Sequence, residues 1–220
     1  MKTFTRTLIL ILIVYCSCTK ENLPAICEDP IDPPEIFFTL PDIPGSYWIY
    51  EWVSIDSNGT ETPLNYLDSV FVIGDSVVNG QEYIVYHDYF FGTNSPEVIL
   101  KRDSLGYIVG PDGKVLYAHQ NFSDTLQTGS YPSSYSYFDQ MTKPDSALTL
   151  VAGSFETIQH QRTFYFPNGD PVNVCGDTYF QFVIDYDLLI GEVRQSIGLA
   201  SSIEQECKFR ERRLIDYFIP

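Results

Sequence analysis

Apolar and polar residues alternate along three long stretches of the chain, "SYWIYEWVSID" (46–56), "QEYIVYHDYF" (81–90) and "TYFQFVIDYDLLI" (178–190). A period of two marks a strand with one buried face, and the density of Tyr, Phe, Val and Ile suits the same element. Between the alternating stretches stand Asn58-Gly59, Asn79-Gly80, Asp112-Gly113 and Asn168-Gly169. Such dipeptides accept the positive φ angles of tight reversals. "VVNGQEYIVY" therefore predicts a hairpin with Asn79-Gly80 at its tip, and "LKRDSLGYIVGPDGKVLYA" predicts two further reversals. No stretch longer than about ten residues carries a 3.6-residue apolar stripe, so helices are expected to be few and short. The pattern predicts one all-β domain over residues 45–220, an antiparallel meander of about ten to twelve strands. A sheet of that size twists too strongly to stay open and flat. It is expected to form a strongly curved sheet or barrel, with a two-sheet β-sandwich as the alternative.

The first 44 residues break this pattern. Lys2 and Arg6 form a positive start, and Leu8 to Tyr15 is an apolar run too short to cross about 30 Å of hydrocarbon. Residues 1–17 thus read as an export signal. Cys18 follows the small Ser17, whereas Cys16 follows Tyr15, so Cys18 is the expected acceptor of lipid and Cys16 is expected to leave with the signal. Residues 18–44 are rich in proline, at 24, 30, 33, 34, 41 and 44, and read as an extended tether. At about 3.1 Å per residue it reaches roughly 80 Å. Within it "IFFTL" (36–40) is apolar enough to dock on the domain as an edge strand.

Charge narrows the partners. The whole chain has 13 Lys+Arg and 29 Asp+Glu, a net charge of −16; removing residues 1–17 leaves 11 basic residues and a net charge of −18. Such a surface is repelled by phosphate backbones and by anionic lipid, which excludes nucleic acid and leaves covalent acylation as the route to a membrane. An N-terminal Cys carrying three acyl chains is an effectively permanent anchor, at about 0.8 kcal/mol per buried CH₂.

The stretch "IVYCSCTK" (13–20) resembles a lipobox of the Bacteroidetes type. The order of "GSYWIYEW" (45–52), "DSVFVIGDSVVNGQEYIV" (68–85), "RDSLGYIV" (102–109), "VAGSFETI" (151–158) and "GEVRQSIGLASSIEQE" (191–206) is similar to that of uncharacterised Bacteroidetes-type lipoproteins. A fainter similarity, of architecture alone, is to curved half-barrels that carry lipids or lipoproteins. The resemblance implies a lipid-anchored protein of the cell envelope, at the outer membrane, and implies no catalytic residue.

Candidate chemistry is sparse. Export to an oxidising compartment favours one disulfide among Cys27, Cys175 and Cys207. Cys175–Cys207 is the preferred pairing, and Cys27 with either partner would instead staple the tether to the domain. His87, His119 and His160 read as strand-surface residues, and neither metal nor cofactor is expected. "YPSSYSYF" (131–138) reads as a loop whose Tyr131, Tyr135, Tyr137 and Phe138 could stack on a sugar or anchor a protein. A second aromatic group, "YHDYFFGTN" (86–94), could equally fold back over a barrel mouth. In "CKFRERRLIDYF" (207–218), alternation puts Lys208, Arg210 and Arg212 on one face, either as an anion groove or paired across strands with Asp185, Asp187 or Glu192. Asp185 and Asp187 alone are too few ligands for Ca²⁺. Thr125 and Ser146 follow Asp in loop-like surroundings and resemble acceptors of O-glycosylation. No Gly-x-Ser-x-Gly elbow and no marked carboxylate pair is present. The expectation is a non-catalytic binding domain for a glycan, lipid or envelope protein. The alternatives are a structural component of an envelope complex and, third, a glycan-acting hydrolase.

Overall fold

The computed structural model describes residues 40–131, 135–172, 181–200 and 207–220. The alternating stretches form β1 (Tyr47–Ile55), β2 (Glu61–Val78), β3 (Gln81–Tyr89), β4 (Glu97–Ser104), β5 (Tyr107–Val109), β6 (Val115–Ala118) and β7 (Gln127–Tyr131). They continue as β8 (Tyr135–Thr142), β9 (Leu148–Leu150), β10 (Gly153–Phe155), β11 (Thr157–Tyr165), β12 (Gln181–Asp187), β13 (Gly191–Ala200) and β14 (Cys207–Phe218). A single 3₁₀ turn, Phe90–Gly92, is the only helical element among the described residues.

Twelve strands make one antiparallel sheet in the order β6-β5-β4-β3-β2-β1-β14-β13-β12-β11-β8-β7, and β9 and β10 form a separate hairpin. Two meanders are thereby joined through β1 and β14, the two strands furthest apart in sequence. Turn chemistry sets the register locally. Asn79 (φ 52°) and Gly80 (φ 75°) link β2 to β3, and Leu105 (φ 57°) with Gly106 (φ 84°) makes the same kind of two-residue turn between β4 and β5. Register shifts at Ile49/Tyr50, Val72/Gly74, Ile108/Val109 and Asp185/Tyr186 add local twist.

The sheet curls nearly into a barrel, and the sandwich alternative is not what forms. Its two ends meet in one cluster, where Ile108 and Tyr117 of β5 and β6 pack on Met141, Ile158 and Tyr186 of β8, β11 and β12. The Tyr117 and Tyr186 ring centroids are 4.4 Å apart. A second cluster joins Trp48 and Tyr50 to Val72, Tyr86, Val193 and Leu214, with Phe155, Leu148 and Leu150 supplied by the β9–β10 hairpin. Val193 and Leu214 are wholly buried, which stabilises by about 1.5–3 kcal/mol for each such side chain.

The described residues, from Leu40 onward, belong to one compact unit. Leu40 and Pro41, within the stretch read as tether, belong to it: Leu40 packs on the first cluster and the Pro41 carbonyl accepts a hydrogen bond from Tyr86 Oη at 2.8 Å. Two expectations need correction. "YPSSYSYF" is not simply a loop, because Tyr131 ends β7 and Tyr135, Tyr137 and Phe138 lie in β8, paired with Gly129 and Thr128 across a hairpin. Residues 132–134, between the two strands, lie outside the described residues. His160 is not a surface residue: it is 5 % exposed, and its Nε2 lies 3.5 Å from Asp139 Oδ2.

Candidate functional site

Charged residues from five strands converge on the concave side of the sheet. Alternation puts Asp68 of β2 on the same face as Val70 and Val72, Asp88 of β3 on that of Tyr86, Lys101 of β4 on that of Ile99, and Arg212 of β14 on that of Leu214. Cross-strand register then assembles them: Arg212 opposes Trp52, Asp68 opposes Tyr50, Asp88 opposes Val70, and Glu192 of β13 opposes Tyr186.

Arg212 is the hub, at 3 % exposure. Its Nη2 and Nη1 donate to Asp88 Oδ1 and Oδ2 at 2.7 and 3.1 Å, a bidentate pair. Its Nε lies 3.1 Å from Asp68 Oδ2 as an ion pair without hydrogen-bond geometry, and Nη1 lies 3.6 Å from Glu192 Oε1. The guanidinium also sits 4.3 Å from the Tyr50 ring centroid and 5.4 Å from that of Phe90. Asp68, with no exposure at all, accepts from Trp52 Nε1 at 2.6 Å and from the Gly92 amide at 3.1 Å. To make that amide bond the chain takes a left-handed residue, Phe91 (φ 53°), whose ring stacks on Trp52 at 4.3 Å. Phe90 and Phe91 of "YHDYFFGTN" thus fold back over Trp52 and the ion cluster, while Tyr89 faces Phe71 on the other side of the sheet.

Burial and charge act against each other here. Burial raises the Asp68 pKa above the ordinary aspartate value, with Arg212 pulling the other way. It raises that of Glu192 as well, opposed by Arg212 and Lys101, and it lowers that of Lys101. Arg212 is held charged: burial opposes its charge, but Glu192, Tyr50 and Asp88 outweigh it.

Beside the cluster is a cavity of about 70 Å³, walled by Trp48, Val70, Ile99, Ile108, Leu116 and Ile190, with Tyr50, Asp88, Lys101, Glu192 and Arg212 at its polar end. That is room for a few waters or a small group, and far too little for an acyl chain.

The other sequence candidates do not gather here. Arg210 is exposed, with its guanidinium 5.7 Å from the Phe91 ring centroid, while Arg212 is interior, so the expected strip of Lys208, Arg210 and Arg212 is not a common groove. The side chain of Lys208 is outside the described residues, as are Cys18, Cys27, Cys175, the side chains of Tyr131 and Cys207, and hence the lipid site and every disulfide pairing. Arg212 does meet Glu192, one of the acids expected to pair with it. Arg213, on the opposite face, donates to Glu61 at 2.7 and 2.8 Å and to Glu211 at 2.7 Å. Asp185 is taken by Arg194 Nε at 2.7 Å and Gln159 Nε2 at 2.8 Å, and Asp187 caps the amides of Leu189 and Ile190. Neither carboxylate is free for Ca²⁺.

Tyr137 lies under the Arg162 guanidinium at 3.9 Å, Phe138 stacks on Tyr165 at 5.5 Å, and Tyr135 faces Phe166 at 5.7 Å. These rings serve packing along β8 and β11. Arg162 in turn grips the buried Asp139 through Nε and Nη2 at 2.7 and 2.8 Å. Burial pushes the Asp139 pKa up, but the bonds from Arg162 and the nearby His160 ring win and hold it at about 2. Thr125 and Ser146 are both exposed in loops.

Sequence reasoning missed Asp68, Asp88 and Lys101. Asp88 carried a signal, a charge two residues from Tyr86 on one face of the alternating stretch 81–90, and Asp68 a weaker one beside Val70 and Val72, whereas Lys101 shares its face with Glu97 and Asp103 and carried none.

No protein-family model matches the sequence. No curated protein aligns with it. Two solved structures are similar in outline. One is a Bacteroides fragilis protein designated as exported and as having a YmcC-like fold, 12 % identical over 82 % of this chain and 99 % of its own, with a TM-score of 0.43. The other is a Parabacteroides distasonis protein designated a lipoprotein, 11 % identical over 83 % of this chain and 99 % of its own, with a TM-score of 0.44. At TM-scores below 0.5 these likenesses carry no functional information.

Proposed function

We propose that the chain is a lipoprotein of the cell envelope, anchored at the outer membrane through Cys18, whose β-domain is a non-catalytic binding module with its site in the concave cavity. The observation that supports the binding module is the cavity itself: an apolar wall that ends on the half-buried Lys101 and on Glu192 Oε1, a buried oxygen with no hydrogen bond among the described residues. A core built for stability alone gains nothing from polar groups left without hydrogen bonds. The anchor is supported by the leader, in which Cys18 follows Ser17 after a short apolar run.

Two experiments test the halves separately. Metabolic labelling with a fatty-acid probe is expected to mark the wild type and Cys16→Ala but not Cys18→Ala; labelling that survives Cys18→Ala refutes the anchor. For the module, Ile99→Phe fills the cavity. Small polar ligands are expected to perturb the fluorescence of the wild-type protein, whose two tryptophans both lie on the concave side, and not that of the filled variant. Equal responses refute the site.

A second reading, assembly into an envelope complex, is favoured by one observation on the convex face. Phe218, Tyr47, Phe71, His87 and Val98 stand in register across β14, β1, β2, β3 and β4. Phe218 and Val98 are 50 % and 57 % exposed. A strictly monomeric protein that cross-links to nothing in cells would sink this reading.

A further inference from the structure

Phe91 is held in a backbone conformation that its side chain disfavours, with its ring in a slot made by other aromatic side chains. At φ 53° and ψ 39° it is left-handed, a region that bulky residues avoid because Cβ crowds the following carbonyl. Residues kept there are held by surrounding contacts, and they concentrate at ligand clamps and switches. Two contacts hold this one. The Gly92 amide donates to Asp68 Oδ1 at 3.1 Å, and the Phe91 ring stacks on Trp52, 4.3 Å between centroids and 14° from parallel. Phe90 stands nearly perpendicular to the same ring at 4.6 Å and Tyr66 at 6.5 Å, and the Arg210 guanidinium lies 5.7 Å from its centroid. Trp52 is 1 % exposed, whereas Phe91 is half-buried and Tyr66 is 51 % exposed, so the slot lies at the surface. None of these residues walls the cavity beside Lys101 and Glu192.

We propose that this slot is a second binding site, for an aromatic ring, and that Phe91 is its displaceable internal occupant. The ring is supplied free or as a side chain of a partner polypeptide; the chemistry of the slot is the same for both.

The occupant itself specifies the ligand class. Walls that receive a phenyl ring face-on at Trp52 and at right angles to Phe90 and Tyr66 receive another ring in the same place. The Arg210 cation favours a π face and repels a cationic ligand. Three of the four walls are hydrocarbon rings or their faces, which give a sugar's hydroxyls little to bond to. A ligand shifts an equilibrium only by what it binds better in one state, and here that difference is the vacated face of Trp52. Exchange replaces one stack with another and lets the Phe91 backbone return to an ordinary φ. Asp68 keeps the Trp52 indole N–H and Arg212 throughout.

The test uses the full chain purified in detergent and isotope-labelled at tryptophan. Its two tryptophans, Trp48 and Trp52, give separate indole N–H signals in NMR, assigned with Trp48→Phe. The probes are p-cresol as a free ring and N-acetyltyrosinamide as the same ring on a peptide unit, with N-acetylleucinamide and methyl glucoside as controls. A ring probe is expected to move the Trp52 signal and not that of Trp48, and to bind about tenfold more tightly than either control. Binding by p-cresol assigns the slot to free rings, and binding by N-acetyltyrosinamide alone assigns it to a polypeptide. Phe91→Gly vacates the slot and accepts the positive φ, and is expected to bind rings about tenfold more tightly again, because the internal occupant no longer competes. Arg210→Gln is expected to bind them several-fold more weakly. Ile99→Phe, which fills the separate cavity, is expected to change nothing here, so the two sites stand or fall independently. Rings that bind Phe91→Gly but leave the wild-type Trp52 signal unmoved make Phe91 a permanent part of the core and overturn the proposal. Equal binding of N-acetylleucinamide or methyl glucoside overturns the ligand class, and a wild-type signal that no probe moves overturns the site, whether or not the variants fold.

Discussion

Replacing Arg212 with methionine tests whether the concave ion cluster is the electrostatic centre of the fold. Methionine keeps most of the length and apolar contact of the side chain but removes the guanidinium. Asp88 then loses two charge-assisted hydrogen bonds, and Asp68 loses its cation, the only one beside it among the described residues, while keeping the Trp52 and Gly92 donors. Removing one partner of a buried ion pair costs about 3–5 kcal/mol, because the remaining charge has no compensation. Asp68 and Asp88, at 0 % and 7 % exposure, qualify as buried. Against a total stability of about 5–15 kcal/mol this is a large fraction. For a domain of this size each kcal/mol shifts Tm by about 2–4 °C, so a drop of roughly 6–20 °C is expected in a thermal melt.

The pH dependence of the same variant has a definite sign. Burial already raises the Asp68 pKa against the pull of Arg212, so without Arg212 it rises further. The folded state then binds a proton more readily than the unfolded chain, and stability falls as pH rises through the folded value. Acidifying Arg212→Met from neutral pH toward the ordinary aspartate value, 3.8, is expected to restore part of the lost stability relative to wild type. Urea melts across that range read both effects. An Arg212→Met protein within about 1 kcal/mol of wild type at neutral pH, below the range for a broken buried pair, would refute the reasoning, as would one that gains nothing on acidification.

Three further outcomes follow from individual contacts. Asp139, held at about 2 against an ordinary 3.8, contributes about 2 kcal/mol that is fully present above pH 3.8 and lost as pH falls through the folded value. Asp139→Asn should therefore lose at least that much at neutral pH and show a flatter acid limb in pH-dependent melts. Glu61 is half exposed where it meets Arg213, so Glu61→Gln should cost less than about 1 kcal/mol in denaturant melts, and less still at high salt. At Gly129 an added Cβ would run into the Tyr137 ring, which Arg162 and Phe164 hold in place. Gly129→Ala should destabilise by about 1–3 kcal/mol through overpacking, and a melt equal to wild type would show that the ring can move aside.

The local half of this structure was legible in the sequence because strand pleat and turn geometry are local properties. "VVNGQEYIVY" is the β2–β3 hairpin, and alternation in 46–56 marks Trp48, Tyr50 and Trp52 as one face. The β7–β8 hairpin was obscured because its Pro and Ser residues suggest loop over a longer span than they occupy. His160 was misplaced for a different reason: its burial depends on Asp139 of β8 and Phe182 of β12, on the two strands that flank its own. By itself the sequence determined that this is an acidic, all-β chain with a signal-like leader and reversals at Asn-Gly and Asp-Gly dipeptides. Only the tertiary structure decided that β1 pairs with β14, which carries Arg212 to Asp88 across 124 residues. A period of two says which residues share a face, but not which faces meet, because that is settled by long-range strand pairing and by the curl that brings the two ends of the sheet together.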